Sequence, residues 1–140
     1  MNKWDSRFFD LAKEVATWSK DPDCKVGAVI VSPDRRLFTV GYNGFPIGIA
    51  DDGRLTDKHV KNCYTVHAEI NAILSAHRDL TGWTIYSTKP PCIACAAAVI
   101  QAGIVAVRCP PLDRASTWFD QNFLALDLLQ EANISVQFNP

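Results

Sequence analysis

No apolar run in this 140-residue chain is long enough to cross a membrane, and there is no basic stripe, no internal repeat and no low-complexity linker. The first absence excludes a transmembrane helix, which needs about 20 consecutive apolar residues. The opening stretch Met1-Asn2-Lys3-Trp4-Asp5 carries charges where a secretory signal would need an apolar segment. With no linker in sight, residues 1–140 read as one domain. Excess positive charge is missing too: Lys plus Arg is 14 against 15 for Asp plus Glu, a formal net charge of −1. Proteins that grip a polynucleotide carry clustered Lys and Arg, because phosphate contacts dominate that affinity. Neither nucleic acid nor membrane is therefore the expected partner. The five cysteines are odd in number, which fits free thiols in a reducing, cytoplasmic compartment better than a disulfide framework. What the chain does have is core material. Its 48% hydrophobic content allows a chain of this length to bury roughly two-thirds of its unfolded surface.

Helical and extended patterns alternate. Trp4, Phe8, Leu11, Val15 and Trp18 recur at helical spacing and predict a helix over Lys3–Ser19, stopped by Asp21-Pro22-Asp23. Val26–Ser32 is an apolar, β-branched strand, and Leu37–Tyr42 returns as its hairpin partner across Ser32-Pro33-Asp34-Arg35. A polar loop is expected from Asn43 to about Asn62. Then follow helix His67–His77, strand Trp83–Ser87, helix Cys92–Ala102, strand Ile104–Arg108, helix Thr117–Ala132 and strand Ile134–Phe138. Strand–helix alternation implies right-handed crossovers and a parallel part of an α/β sheet.

Two short motifs carry chemistry: His67-Ala68-Glu69 and Pro91-Cys92-Ile93-Ala94-Cys95. Catalytic zinc usually takes three protein ligands and keeps a fourth position open. His67, Cys92 and Cys95 supply three. Cys92 and Cys95, three apart, reach one point from the first turn of a helix, with Pro91 suited to the first helical position. His67 and Glu69 are two apart and can converge only at a helix entrance, where Thr65 is the expected cap. Both helix N-termini would then face the metal and favour thiolate and hydroxide. Bound zinc can lower the pKa of a water to about 7. Glu69 is left over as the general acid–base group, a role worth roughly 10²–10⁴-fold in rate. A lone C-x-x-C could instead be a redox pair or half of a structural zinc site. Cys24, Cys63 and Cys109 read as ordinary buried or half-buried thiols. His59 and Cys63, four apart, could share a face toward a second metal.

The pattern H-x-E…P-C-x-x-C is a known signature of zinc nucleobase deaminases, so the match is one of family resemblance and stands beside the chemical reading of the residues. Trp18–Pro22, Lys25–Val31, Gly41-Tyr42-Asn43-Gly44-Phe45-Pro46, Val66–Leu74 and Ile100-Gln101-Ala102-Gly103-Ile104 extend it. From about Asp5 to Phe138 the chain resembles the deoxycytidylate (dCMP) deaminases of the cytidine deaminase-like superfamily. The resemblance implies a three-layer α/β fold with a mixed five-stranded sheet flanked by helices. It implies Zn2+-dependent hydrolysis of dCMP to dUMP and ammonia, a small-molecule nucleotide as partner, and a homo-oligomer, commonly a hexamer. In relatives the residue matching Asn43 lies near a sugar hydroxyl, and the backbone matching Ala68 contacts the base. The stretch matching Gly41, Tyr42, Asn43 and Gly44 belongs to a regulatory site where dCTP activates and dTTP inhibits, with Mg2+ on the triphosphate. A Gly-Tyr-Asn-Gly turn offers backbone freedom beside Asn43 for such a ligand; its alternative reading is a plain turn.

The chain also departs from the pattern. Many dCMP deaminases stack a tyrosine on the cytosine after the fourth strand, but Cys109–Phe119 contains none. Trp118 or Phe119 could supply that face, or both could be core of the last helix. Lys25, Lys89 and Arg114 are the candidates for the substrate phosphate. Other free substrates (dCTP, modified dCMP or guanine) and tRNA adenosine remain as alternatives, the last disfavoured by net charge, as does a non-catalytic zinc module, disfavoured by Glu69.

Overall fold

The computed structural model describes residues 2–139. Helix α1, Lys3–Ala16, starts at a capping box: the Asn2 side chain accepts from the Trp4 and Asp5 amides, both at 2.9 Å, while Asp5 accepts from the Asn2 amide at 3.3 Å. It ends one turn before the expected Ser19, because the Thr17 hydroxyl caps the Glu14 carbonyl at 2.6 Å. Trp18 therefore leaves the helical stripe. It lies 51% exposed, edge-on to Tyr42.

Five strands follow: β1 Gly27–Val31, β2 Phe38–Tyr42, β3 Thr84–Ser87, β4 Ala106–Cys109 and β5 Ser135–Phe138. They form one mixed sheet in the order β2-β1-β3-β4-β5. β1 runs antiparallel to both β2 and β3, and β3, β4 and β5 are parallel. The expected α/β architecture and parallel portion are both present. Strand alternation divides the core in two. Val29, Val31 and Tyr86 meet Phe8, Phe9 and Ala12 of α1 on one face. Ala28, Ile30, Ile85 and Val107 face the other way, toward helices α3 (Ala68–Ala76), α4 (Ile93–Gln101) and α5 (Phe119–Glu131). Helix–sheet approach is so close at two points that only glycine fits. A Cβ on Gly27 would lie 2.1 Å from the Ala12 carbonyl oxygen, and one on Gly41 2.3 Å from the Ala72 nitrogen.

The expected Asn43–Asn62 loop is only partly irregular. It contains a 3-10 turn at Gly53–Thr56 and a short helix α2, Lys58–Tyr64, whose Asp57 cap accepts from His59 and Val60. Its sequence lacks an apolar stripe, so periodicity gives no warning of it. Tertiary bonds hold it: the buried Lys61 ammonium contacts Asp21 at 3.1 Å and Asp23 at 2.8 Å. Of the three spare cysteines, Cys109 is buried as expected, but Cys24 and Cys63 are exposed. The first lies in the connection before β1 and the second on the outer side of α2. Among the described residues, no helix is long and apolar enough to cross a membrane.

Candidate active site

Two helix entrances bring the motif residues together. His67 is the N-cap of α3 with extended backbone (φ −69°, ψ 153°) and makes no side-chain capping bond, so its ring is free to turn outward. Glu69 follows at the second helical position. The expected Thr65 cap is not formed. Thr65 closes the end of α2 instead, its hydroxyl donating to the Lys61 carbonyl at 2.6 Å. Val66 is drawn into a β-bridge with Gly44, which separates Thr65 from the α3 entrance. Cys92 is the N-cap of α4, again without a capping bond, and Cys95 is the third residue of that helix. Pro91 accordingly precedes the cap and does not occupy the first helical position. Asn122 of α5 fixes this approach by donating to the Pro91 carbonyl at 2.9 Å and the Pro90 carbonyl at 3.2 Å.

His67 Nδ1 lies 3.5 Å from Cys92 Sγ and 3.3 Å from Cys95 Sγ, and the three donor atoms fall within 4.8 Å of one another. Tetrahedral zinc, at its usual bond lengths, wants a nitrogen–sulfur separation of about 3.6 Å. The donor set therefore fits zinc. Both sulfurs are free thiols, and among the described residues no fourth donor joins the group. The expected second site at His59 and Cys63 has no third donor among the described residues.

Electrostatics favour a basic carboxylate beside an acidic thiol. Burial pushes the Glu69 carboxyl above its ordinary range, with the side chain only 5% exposed, and its Oε1 accepts from Ser87 Oγ at 3.2 Å. Cys92 is pushed down to about 4 by the hydrogen bond from the Cys95 thiol and by the His67 imidazole. Hydrogen bonding to Cys92 in turn raises His67. Burial, and then the Glu69 charge, push Cys109 up to about 12, which keeps that thiol neutral.

His67, Glu69 and Cys92 line a cavity of about 720 Å³ whose wall also includes Asn43, Ala68, Lys89 and Trp118. Trp118, 42% exposed, stands edge-on to the His67 ring at 6.1 Å. Phe119 turns away to pack on Phe123 and Arg114, so the two aromatics are distinguished. Asn43 is buried with its amide tied to backbone: Oδ1 accepts from Val26 N at 2.9 Å and Nδ2 donates to the Cys24 carbonyl at 2.8 Å. Each atom retains capacity for one more bond. Lys25 does not reach the cavity wall, because its ammonium donates to the Ser19 carbonyl. Arg114 is likewise outside it, whereas Lys58 and Lys89 are in it. The backbone freedom expected around Asn43 is not used. Gly41 has no positive φ and is required by the close approach of α3, while Gly44 sits in its bridge to Val66.

Sequence reasoning missed Ser87, Asn122 and the Asp21–Lys61 pair. Ser87 carried a signal: it is polar on a strand face where Ile85 is apolar. Asn122 and Lys61 carried none, since their partners are remote in sequence.

Residues 2–109 match the family model described as the cytidine and deoxycytidylate deaminase zinc-binding region. An "Uncharacterized deaminase in luxG 3'region" of Aliivibrio fischeri is 42% identical over 142 residues, covering 100% of this chain and 96% of its own length. Human deoxycytidylate deaminase is 39% identical over 109 residues, 73% of this chain, and the match spans 61% of the human protein. The dCMP deaminase of cyanophage S-TIM5, solved in complex with dCMP and dUMP, superposes with a TM-score of 0.82 at 23% identity, over 99% of both chains. The matched family model and the relatives agree with the zinc-fitting donor set: this chain belongs to the cytidine and deoxycytidylate deaminase family.

Proposed function

We propose that this protein is a zinc-dependent hydrolase that converts dCMP and water to dUMP and ammonia, with His67, Cys92 and Cys95 as metal ligands. The observation that carries the reading is a buried carboxylate, Glu69, at the wall of a cavity also lined by His67 and Cys92, two members of the three-donor set. Zinc in that set would supply Lewis acidity, lowering the pKa of a water so that it attacks near neutral pH. Glu69 accepts a proton from the attacking water and delivers it to the ring nitrogen beside the reacting carbon. It then takes the second proton from the hydroxyl thus added and passes it to the amine, which leaves as ammonia while the C=O bond forms. A carboxylate raised by burial suits both halves of that cycle, since it holds a proton more readily than an exposed glutamate.

Trp118 is the aromatic face for the pyrimidine, Ala68 offers backbone groups at the α3 entrance, and the spare capacity of Asn43 is available to a sugar hydroxyl. Lys89, in the cavity wall, replaces Lys25 as the candidate for the phosphate. The dCMP assignment is supported by the relatives named deoxycytidylate deaminase, and residues 1–140 are read as one catalytic domain. The same reading includes regulation by dCTP (activator) and dTTP (inhibitor), with Mg2+ on the triphosphate, at Gly41, Tyr42, Asn43 and Gly44. The exposed Tyr42 ring beside Trp18 is the feature that supports it. A cytoplasmic homo-oligomer completes the reading, and the exposed Phe123 and Leu124 of α5 offer apolar surface for subunit contact.

One experiment tests these points together. Ammonia release is measured across dCMP, CMP, dCTP, deoxycytidine and guanine, with dCTP and dTTP as effectors with and without Mg2+, and zinc content on the same sample. The expected result is dCMP as the best substrate with about one zinc per chain, and Glu69→Gln retaining zinc while turnover falls by at least about 10²-fold. Full activity of Glu69→Gln would remove the acid–base assignment, and kinetics indifferent to dCTP and dTTP would remove the regulatory one.

A further inference from the structure

We propose that Ser87 is a positioning residue for the deamination step, acting through Glu69 and touching neither substrate nor metal; the inference rests on the role given to Glu69 above. The strand pattern makes this serine stand out. On β1 and β3 the face turned toward α3 carries Ala28, Ile30 and Ile85, all part of the main core. Ser87 is the next residue on that face, directly opposite Ala28, and it is 1% exposed. A hydroxyl there must find partners inside the protein, because an unpaired buried hydroxyl is destabilising.

It finds two. Ser87 Oγ donates to Glu69 Oε1 at 3.2 Å, and the backbone amide of Lys89 points at Oγ at 3.5 Å. The second contact sets the direction of the first. With a lone pair facing an N–H donor, the single hydroxyl proton is left for the carboxylate. Glu69 is thereby tethered to the backbone that runs from β3 through Thr88, Lys89 and Pro90 to the metal-ligand loop. The geometry suits a proton carrier in two further ways. Ser87 engages Oε1, and the Cys95 thiol, which also reaches this carboxylate, would be given over to the metal, leaving Oε2 for proton traffic. A serine hydroxyl can also donate to the charged form and accept from the protonated form, which a backbone amide cannot do. Glutamate has three side-chain torsions, and fixing them before substrate arrives removes an ordering cost from the chemical step.

The test compares Ser87→Ala, Ser87→Thr and Ser87→Val with wild type, with Glu69→Gln as a control, using zinc content, kcat and KM on dCMP. Threonine and valine add the same volume to the site and differ in a hydroxyl against a methyl, so packing strain cancels between them. The expected result is that Ser87→Ala and Ser87→Val lower kcat about tenfold with zinc and KM retained, while Ser87→Thr keeps most of the rate. The inference is overturned if valine and threonine variants turn over equally, if the loss falls in KM alone, or if rate and zinc content decline in proportion. A wild-type protein that deaminates nothing, or an active Glu69→Gln, would defeat the deaminase reading itself. Normal behaviour of those two with unaffected Ser87 variants would defeat only this inference.

Discussion

At the residue scale, legibility followed the number of partners a residue needs nearby in sequence. His67, Glu69, Cys92 and Cys95 announce themselves because their chemistry requires fixed spacing at helix entrances, and they converge as that spacing implies. Lys25 misled for the opposite reason. Its charge suggested a phosphate, but a nearer acceptor, the Ser19 carbonyl, holds its ammonium away from the cavity. Trp118 and Phe119 were indistinguishable in sequence, since adjacent aromatics at a helix start can point either way. The cap position resolves them: Trp118 stands at φ −93° and ψ 0°, outside the helix proper, and enters the cavity wall. The stacking role proposed for it has a measurable size, because base–aromatic stacking contributes about 1–3 kcal/mol. Trp118→Ala should raise KM for dCMP roughly 10- to 100-fold with zinc content retained, and Trp118→Tyr should recover much of it. Steady-state kinetics on the two variants decide the matter, and an alanine variant with unchanged KM would leave the base without an aromatic partner.

At the scale of elements, every strand and every long helix was readable in the sequence, with boundaries shifted by one to three residues. Helix α2 was not, because its seven residues carry no apolar stripe and its anchor is an ion pair across 40 positions of sequence. That anchor makes α2 sensitive to pH in a defined direction. Burial raises the Asp21 carboxyl, but the Cys24 and Asp23 amides and the Lys61 ammonium outweigh it and hold it below the ordinary aspartate value of 3.8. Its contribution to stability is therefore present above about pH 4 and lost as pH falls through the depressed value. Lys61 is raised above 10.5, chiefly by Asp23, so its share persists through neutral pH and is lost only in strong alkali. Because both Lys61 and Asp21 are nearly fully buried, removing one partner strands the other. Lys61→Met should destabilise the protein by about 3 kcal/mol and shift the urea midpoint accordingly. A midpoint within error of wild type would mean the pair does not hold α2, and the acid sensitivity would have to be sought elsewhere.

At the scale of the molecule, the sheet supplies the frame and the site sits where the β-to-α connections meet. The order β2-β1-β3-β4-β5 sets the entrances of α3 and α4 side by side on one face, with β3 leading into the second of them. Neither entrance has a side-chain cap, so His67 and Cys92 leave backbone N–H groups of both helices without that usual partner. In the metal-loaded protein the three ligands would join the entrances of two helices, and the helix ends would offset the negative charge of the thiolates. Zinc is then a structural cross-link as well as a reagent, and its removal has a consequence apart from lost turnover. Ligand held only by the folded state stabilises by about 4 kcal/mol when it exceeds its Kd a thousandfold. For a chain of 140 residues that corresponds to a Tm difference of roughly 10–15 °C. Protein stripped by a chelator should melt lower by that amount and recover on adding stoichiometric zinc, whereas magnesium should not restore it, since thiolate and imidazole donors suit the softer ion. Calorimetry on stripped, zinc-loaded and magnesium-treated samples checks this, and a Tm indifferent to zinc would show that α3 and α4 keep their arrangement without the cross-link.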